Sequence, residues 1–180
     1  SEERNIAWTL LSYLRGNGIS ISDDAVAKEN LGPNSYGLEI EGLASDGDML
    51  YMGLKYPQSG DGGALLLRYD WENDSFNGFY ELDMKGMGVS SLSFDLENKL
   101  LYVAANPPGK GNDALYTGRS DIYAYAFPAG GAPVLMHVFD GYRNKRAKLE
   151  GIAVYKNRLW LAYDGSSPSL VFLRGFRNKR

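Results

Sequence analysis

The sequence predicts an all-β fold of short antiparallel strands that follows one N-terminal helix. Three observations favour this class. The 180 residues include 13 Tyr and 22 Gly, a composition typical of many short strands joined by tight turns. From Leu38 onward, short apolar runs alternate with turn sequences rich in Gly, Asp and Asn. Groups of these runs recur at a spacing of about 50 residues, which indicates a repeated structural unit.

The N-terminal segment, residues 1–37, has a different pattern. Apolar side chains recur there at three- and four-residue spacing, which predicts an amphipathic helix over residues 2–15. Ser1 is suited to the N-cap, and Gly16 is the expected C-terminal stop. A second short helix is expected around residues 23–30, ended by Gly32 and Pro33.

The remainder, residues 38–180, contains a repeat. The matching segments are Glu41–Ala44 with Leu50–Gly53, Leu92–Phe94 with Leu101–Ala104, and Glu150–Ala153 with Leu159–Ala162. Groups of four antiparallel strands at this period are typical of β-propeller blades. We therefore predict three blades, over residues 38–84, 87–140 and 148–174, the last without its outer strand.

Three blades do not close a ring, because closed propellers use about 4–8. We expect the ring to be completed by another copy of the chain or by the rest of a longer precursor. The apolar flanks of the first and last blades are then expected to be contact surfaces. The chain begins with Ser1 rather than Met, so we expect a processed product or part of a longer protein.

Composition excludes several classes of function. Nineteen Lys and Arg against 22 Asp and Glu give a net charge of −3, which argues against a nucleic-acid partner. No apolar run approaches the roughly 18 residues that span a bilayer, so no membrane partner is expected. The absence of Cys excludes disulfide scaffolds and Cys nucleophiles, and is compatible with periplasmic, secreted or cytoplasmic bacterial proteins. The single histidine, His137, lies in an expected outer strand and does not suggest catalysis.

Two glutamates are the main candidates for chemistry. Glu41 and Glu150 occupy equivalent places at the start of the innermost strands, which face the central channel of a propeller. If their carboxylates converge, largely buried, they would suit Ca²⁺ or another divalent cation, with Asp164 and Asn106 as further oxygen ligands. The alternative is structural: each glutamate accepts hydrogen bonds from the neighbouring blade and holds the ring together.

Several motifs together resemble a known family. The motifs are Leu38–Ala44, Leu50–Pro57, Ala64–Leu67, Leu82–Leu92, Leu149–Ala153 and Tyr163–Gly165. In this order they resemble an uncharacterised bacterial β-propeller family, a domain of unknown function distantly similar to phytase-like esterase propellers. The resemblance covers about residues 5–174 and is similar to the C-terminal half of the family domain. It implies a propeller fold preceded by a helical segment, and no established activity.

The resemblance also directs attention to a binding site. The family usually has Arg where Lys55 and Ser90 stand, so these two positions depart from its pattern. With Asp83, they are the candidate ligand-binding residues. No catalytic residue is assigned.

Two functions are compatible with the sequence. The first is a propeller module of unknown activity that binds a small ligand or a protein partner at the channel mouth. The alternative is a divalent-metal-dependent hydrolase of phosphoesters or lactones that uses the channel-facing carboxylates. Carboxylates paired to basic side chains would favour the first, and a bound cation with open coordination positions would favour the second.

Overall fold

A computed structural model describes residues 6–21, 37–107, 120–127, 131–140, 148–156, 158–164 and 170–173. These residues form helix α1 (Ile6–Gly16) and strands β1 (Glu39–Ser45), β2 (Leu50–Gln58), β3 (Ala64–Asp70), β4 (Ser75–Leu82), β5 (Gly88–Asp95), β6 (Leu100–Asn106), β7 (Asp121–Ala126), β8 (Val134–Asp140), β9 (Lys148–Tyr155), β10 (Arg158–Asp164) and β11 (Leu170–Leu173). Within this part of the chain, no helix is long and apolar enough to cross a membrane.

The described strands form three antiparallel sheets, which confirms the predicted all-β class. Sheet 1 contains β1–β4 in chain order, sheet 2 contains β5–β8, and sheet 3 contains β9–β11. The predicted N-terminal helix is confirmed from Ile6 onward. Ser1 and the second predicted helix, residues 23–30, lie outside the described residues.

The sheets pack face to face in chain order, with α1 against the outer face of sheet 1. One apolar cluster joins α1 to sheet 1, a second joins sheet 1 to sheet 2, and a third joins sheet 2 to sheet 3. The first strands of neighbouring sheets are adjacent, since β1 contacts β5 and β5 contacts β9. Sheets 1 and 2 are therefore covered on both faces.

Burial on both faces explains the continuous apolar runs in the sequence. In β3, all four residues from Ala64 to Leu67 are fully buried. Because successive side chains of a strand point to opposite faces, Leu65 and Leu67 pack toward α1 while Leu66 packs toward sheet 2. A strand with one solvated face would have alternated polar and apolar residues.

The outer face of sheet 1 differs from the expectation that it would be an open contact surface. Leu10 and Leu14 of α1 are fully buried against Leu65 and Leu67 of this face. The helix therefore covers the apolar flank, and the expectation was wrong for this sheet. On the outer face of sheet 3, by contrast, Ala153, Tyr155 and Ala162 are exposed.

The helix ends one residue later than predicted, at Gly16 instead of residue 15. Gly18, with φ of +81°, adopts the left-handed conformation, whereas Gly16 remains helical. The amide of Gly18 donates to Arg15 O and that of Ile19 donates to Leu14 O, at 3.0 and 2.9 Å. This pair of hydrogen bonds is a Schellman cap, in which a residue without Cβ occupies the left-handed position.

Candidate functional site

A β-bulge interrupts the first strand of every sheet at the same place in the repeat. The pairing register shifts between Ile40 and Gly42 in β1, between Val89 and Ser91 in β5, and opposite the Ala162–Tyr163 step in β9. The residues left without a cross-strand partner are Glu41, Ser90 and Glu150. A bulge re-aims the side chain of its extra residue, so these three candidates share one local geometry.

Glu41 forms an ion pair with the adjacent strand of its own sheet. Lys55 Nζ donates to both carboxylate oxygens of Glu41, at 2.9 and 3.1 Å. The Lys55 side chain is only 8% exposed and that of Glu41 28%, so the pair is partly withdrawn from solvent. The backbone of Gly88 packs closely against Lys55, since a Cβ on Gly88 would lie 2.8 Å from Lys55 O. This close approach restricts the position of the lysine. The Glu41 carboxylate is thus already neutralised by a protein cation.

Glu150 belongs to the same group of charges. Its carboxyl group interacts electrostatically with Lys55, Glu41, Lys148 and Asp164, and we call these five side chains the charged cluster. Desolvation by the surrounding atoms is the main cause that raises the pKa of Glu150, although the residue keeps contact with solvent. Glu41 and Asp164 raise it further, whereas Lys55 and Lys148 lower it. Within the described residues, no hydrogen bond or ion pair satisfies this carboxylate.

The two glutamates are less buried than expected. Glu150 is an exposed residue, and Glu41 keeps about a quarter of its side-chain surface, at 28%. Both lie at a sheet end that faces solvent rather than in the apolar layers between sheets. Solvent can therefore reach the charged cluster.

Ser90 and Asn106 lie between sheets 2 and 3 instead of in the charged cluster. Ser90 Oγ and Asn106 Nδ2 both donate to Leu149 O, at 2.8 and 3.0 Å. Ser120 Oγ donates to Asn106 Oδ1 at 2.7 Å and accepts from Leu149 N at 3.2 Å. All four residues are buried, so this inter-sheet network holds the backbone immediately before Glu150. Both polar groups of the Asn106 amide are engaged by protein partners.

Asp83 and His137 lie elsewhere. Asp83 is exposed, and its carboxylate accepts from Lys85 N at 3.2 Å. Its electrostatic influence is on Tyr125 rather than on Glu150. His137 is exposed on β8, the outer strand of sheet 2, and its ring lies 5.8 Å from that of Phe139.

The structure adds one residue to the cluster that the sequence did not indicate. Lys148 stands directly opposite Asp164 in the β9–β10 pair, which places unlike charges across the ladder beside Glu150. In the sequence, Lys148 lies two residues before Glu150, and the equivalent place before Glu41 in the first repeat is also charged, being held by Glu39.

Metal ligation stays a prediction. Among the residues that the structure describes, no group of three or more Asp, Glu, His or Cys side chains is arranged to hold a metal ion. Of the four candidates, Glu41 and Asp164 each influence Glu150, and Asn106 is part of the inter-sheet network.

Comparisons with known proteins add little. No protein-family model and no curated protein matches the sequence. A solved structure, the extracellular domain of a putative hybrid two-component system from B. thetaiotaomicron, is similar with a TM-score of 0.36 and 15% identity. The match covers 82% of this chain and 22% of that chain, so this chain spans about a fifth of the neighbour's length. At this similarity the neighbour carries no argument about function.

Proposed function

We propose that the chain is a segment of a β-propeller, and that its charged cluster binds a ligand at the channel mouth. The group recognised is a primary ammonium, supplied by a small amine or by a lysine side chain of a protein partner. The propeller architecture and the binding of an ammonium group rest on different observations.

The packing between successive sheets supports the propeller. Gly42 and Gly53 of sheet 1 receive Val89 of β5, whose Cγ1 would lie 2.8 and 2.5 Å from a Cβ at these glycines. On the next sheet, Ser91 and Ser93 accept hydrogen bonds from the β9 amides of Ile152 and Val154, at 3.1 and 2.9 Å. Small residues on one sheet thus receive the first strand of the next.

Sheet 3 repeats this receiving face. Ala153 and Ala162 stand at the positions of Ala44 and Gly53 in the repeat, and both are exposed. A face of small side chains with the exposed ring of Tyr155 beside it is suited to receive another sheet. This supports a repeat that continues beyond sheet 3.

We expect this face to make the isolated chain self-associate. Light scattering at micromolar concentration should give about twice the 19.9 kDa of one chain. Ala162→Lys should restore the single-chain mass without altering the circular dichroism spectrum, because a charge on the face cannot be desolvated without cost. Trp71→Lys, which changes an exposed apolar residue on a turn of sheet 1, is the matched control and should leave association intact. A monodisperse species of single-chain mass with a cooperative melt would contradict the proposed propeller segment.

The carboxylate of Glu150, which has no partner among the described residues, supports the proposed ammonium binding. The charged cluster contains three carboxylates and two ammonium groups, so it is one positive charge short of neutrality. Lys55 is committed to Glu41 by two hydrogen bonds, and Lys148 faces Asp164 across the ladder. An ammonium ligand beside Glu150 would supply the missing charge and recover the cost of desolvating that carboxylate. The pairing of Glu41 with Lys55 supports a binding module over a hydrolase.

The titration of Glu150 tests the proposed binding of an ammonium group. A ligand cation stabilises the ionised carboxylate, so n-butylamine should lower the pKa of Glu150, measured by carboxyl ¹³C NMR. By linkage, amine affinity should rise as the pH increases through the raised pKa of Glu150 and level off above it. The neutral analogue 1-butanol should have no effect. Nα-acetyl-lysine methylamide tests whether the ammonium group comes from a lysine side chain, because selective binding of this probe indicates a protein partner.

Two variants and a Ca²⁺ titration complete the experiment. Glu150→Gln should abolish amine binding, whereas Glu72→Gln, an exposed glutamate on the β3–β4 turn, should leave it unchanged. Calorimetric titration with Ca²⁺ distinguishes the divalent-cation hydrolase. Heat with Ca²⁺ that Glu150→Gln removes, together with no response to amines, would overturn the ammonium proposal in favour of that alternative.

A further inference from the structure

A cleft lies between sheets 1 and 2, at the end of the strands opposite the charged cluster. Its volume is about 550 Å³, within the usual range for small-molecule sites. The walls come from the β1–β2 turn, from the facing strands of the two sheets, and from the β5–β6 turn. The lining residues used below are Asp46, Tyr51, Arg68, Tyr80, Phe94 and Phe127.

Arg68 is a cation in this cleft that has no acidic partner in the part of the chain that the structure describes. Among the described residues, its hydrogen bond is a long one, 3.4 Å from Nη1 to the hydroxyl of Tyr80. Its Nε is fully buried and has no acceptor within the described part of the chain. No described carboxylate lies within ion-pair distance of the guanidinium. A buried Nε–H without an acceptor is costly, and a guanidinium without a paired carboxylate favours an anion at its terminal nitrogens.

Two carboxylates, those of Asp46 and Asp48, also line the cleft, and that of Asp46 is already committed. Asp46 Oδ1 accepts from the amides of Asp48 and Met49, at 3.0 and 2.8 Å, and Oδ2 accepts from the Tyr51 hydroxyl at 2.8 Å. These bonds close the β1–β2 turn and hold Asp46 away from pairing with Arg68. Burial and Asp46 both raise the pKa of Tyr51, so this phenol remains a neutral donor. Tyr51 lies directly opposite Arg68 in the β2–β3 pair, which keeps the guanidinium on the cleft side of the sheet.

Aromatic rings form the rest of the wall. Phe127 lies 5.3, 5.8 and 5.7 Å from the rings of Tyr51, Tyr80 and Phe94, measured between centroids. Tyr51 and Phe94 stack at 5.7 Å, so the rings come from both sheets. Such a wall favours a flat, apolar ligand body through offset and edge-to-face contacts. Within the described residues, the cleft thus combines an aromatic wall with a guanidinium that is not paired with a carboxylate.

We propose that this cleft binds a small aromatic carboxylate. The ligand's ring packs against Phe94 and Phe127, and its carboxylate accepts from the terminal nitrogens of Arg68. Arginine presents parallel N–H groups that match a carboxylate in a bidentate geometry, which gives both affinity and orientation. Lys99, on the β5–β6 turn of the opposite wall, adds a second positive charge at the rim. This site is separate from the charged cluster and does not depend on the function proposed for it.

Three probes separate the contributions of charge and ring. We expect 2-naphthoate to bind the full chain in ligand-observed NMR and calorimetry. The neutral isostere 2-naphthylmethanol should bind at least tenfold more weakly, because it cannot pair with the guanidinium. Choline tests the opposite polarity, since aromatic walls also attract quaternary ammonium ions. Binding of choline with no binding of naphthoate would overturn the proposal, and so would equal binding of naphthoate and its alcohol.

Two variants locate the site. Arg68→Met keeps the length of the side chain without its charge and should weaken naphthoate at least tenfold while leaving the alcohol unchanged. Lys156→Gln removes an exposed cation of sheet 3 and should leave both affinities unchanged. If Arg68→Met fails to fold, the naphthoate-induced shift of the Arg68 Nε–H signal in the wild-type chain serves as the second readout. The absence of that shift at saturating naphthoate, or unaltered naphthoate affinity in folded Arg68→Met, would contradict the assignment.

Discussion

Gly53→Ala should destabilise the chain by about 1–3 kcal/mol, the usual cost of overpacking a filled interior. A Cβ at this position would lie 2.5 Å from Val89 Cγ1 and 3.0 Å from both Val89 Cβ and Cγ2. Val89 is fully buried and β-branched, so it cannot rotate away and the two sheets would have to separate. Urea unfolding measures the change as a shift in midpoint at constant slope.

Gly78→Ala is the matched control for this substitution. Gly78 also lies within a strand of sheet 1, but an added Cβ would meet only Arg68 Cδ, at an ordinary 3.9 Å. The loss of backbone freedom in the unfolded chain should make Gly78→Ala neutral or stabilising by about 0.4–1 kcal/mol. Equal effects at the two glycines would show that the close packing of sheets 1 and 2 is not what requires Gly53.

Asn106→Ala should cost about 1–3 kcal/mol, because it leaves buried polar groups without partners. The substitution removes a donor to Leu149 O and the acceptor of the Ser120 hydroxyl. Asn73→Ala is the comparison, since Asn73 bonds Asp70 in an exposed turn and should lie within about 0.5 kcal/mol of wild type.

A double-mutant cycle identifies the network as the cause. If Asn106 and Ser120 act through a shared set of hydrogen bonds, Ser120→Ala should cost less in the Asn106→Ala background than alone. Thermal unfolding of the four proteins gives the coupling energy. Additive effects would indicate that Asn106 contributes by packing and not through the inter-sheet hydrogen bonds.

Much of the fold was predictable because burial on two faces leaves a clear pattern. Runs such as Ala64–Leu67 are apolar throughout, and turn residues separate them, so strand positions followed directly. The packing of α1 on sheet 1 was not predictable. An amphipathic pattern predicts that a helix packs on an apolar surface, but it does not identify that surface. Gly16 was the expected helix stop, whereas Gly18 takes the left-handed position, and only backbone conformation distinguishes the two glycines.

The candidate site was predictable as far as the repeat extends. The equivalence of Glu41 and Glu150 was visible because both precede Gly within matching strands. The sequence did not indicate that Ser90 lies at the equivalent bulge, because the second repeat has diverged at its start. The ion pair of Glu41 with Lys55 joins residues 14 positions apart across a bulged pair of strands. Alternation alone gives no register for such a contact.

The position of α1 gives the stack of sheets a direction. α1 covers one end of the stack, as a capping repeat covers a solenoid, and at the other end Ala153, Tyr155 and Ala162 of sheet 3 are exposed. Copies that added head to tail would need the outer face of sheet 1, which Leu10 and Leu14 already occupy. Open-ended filaments require such heterologous contacts, whereas two identical open ends can meet only as a closed, two-fold pair. The helix therefore limits how far this repeat can polymerise.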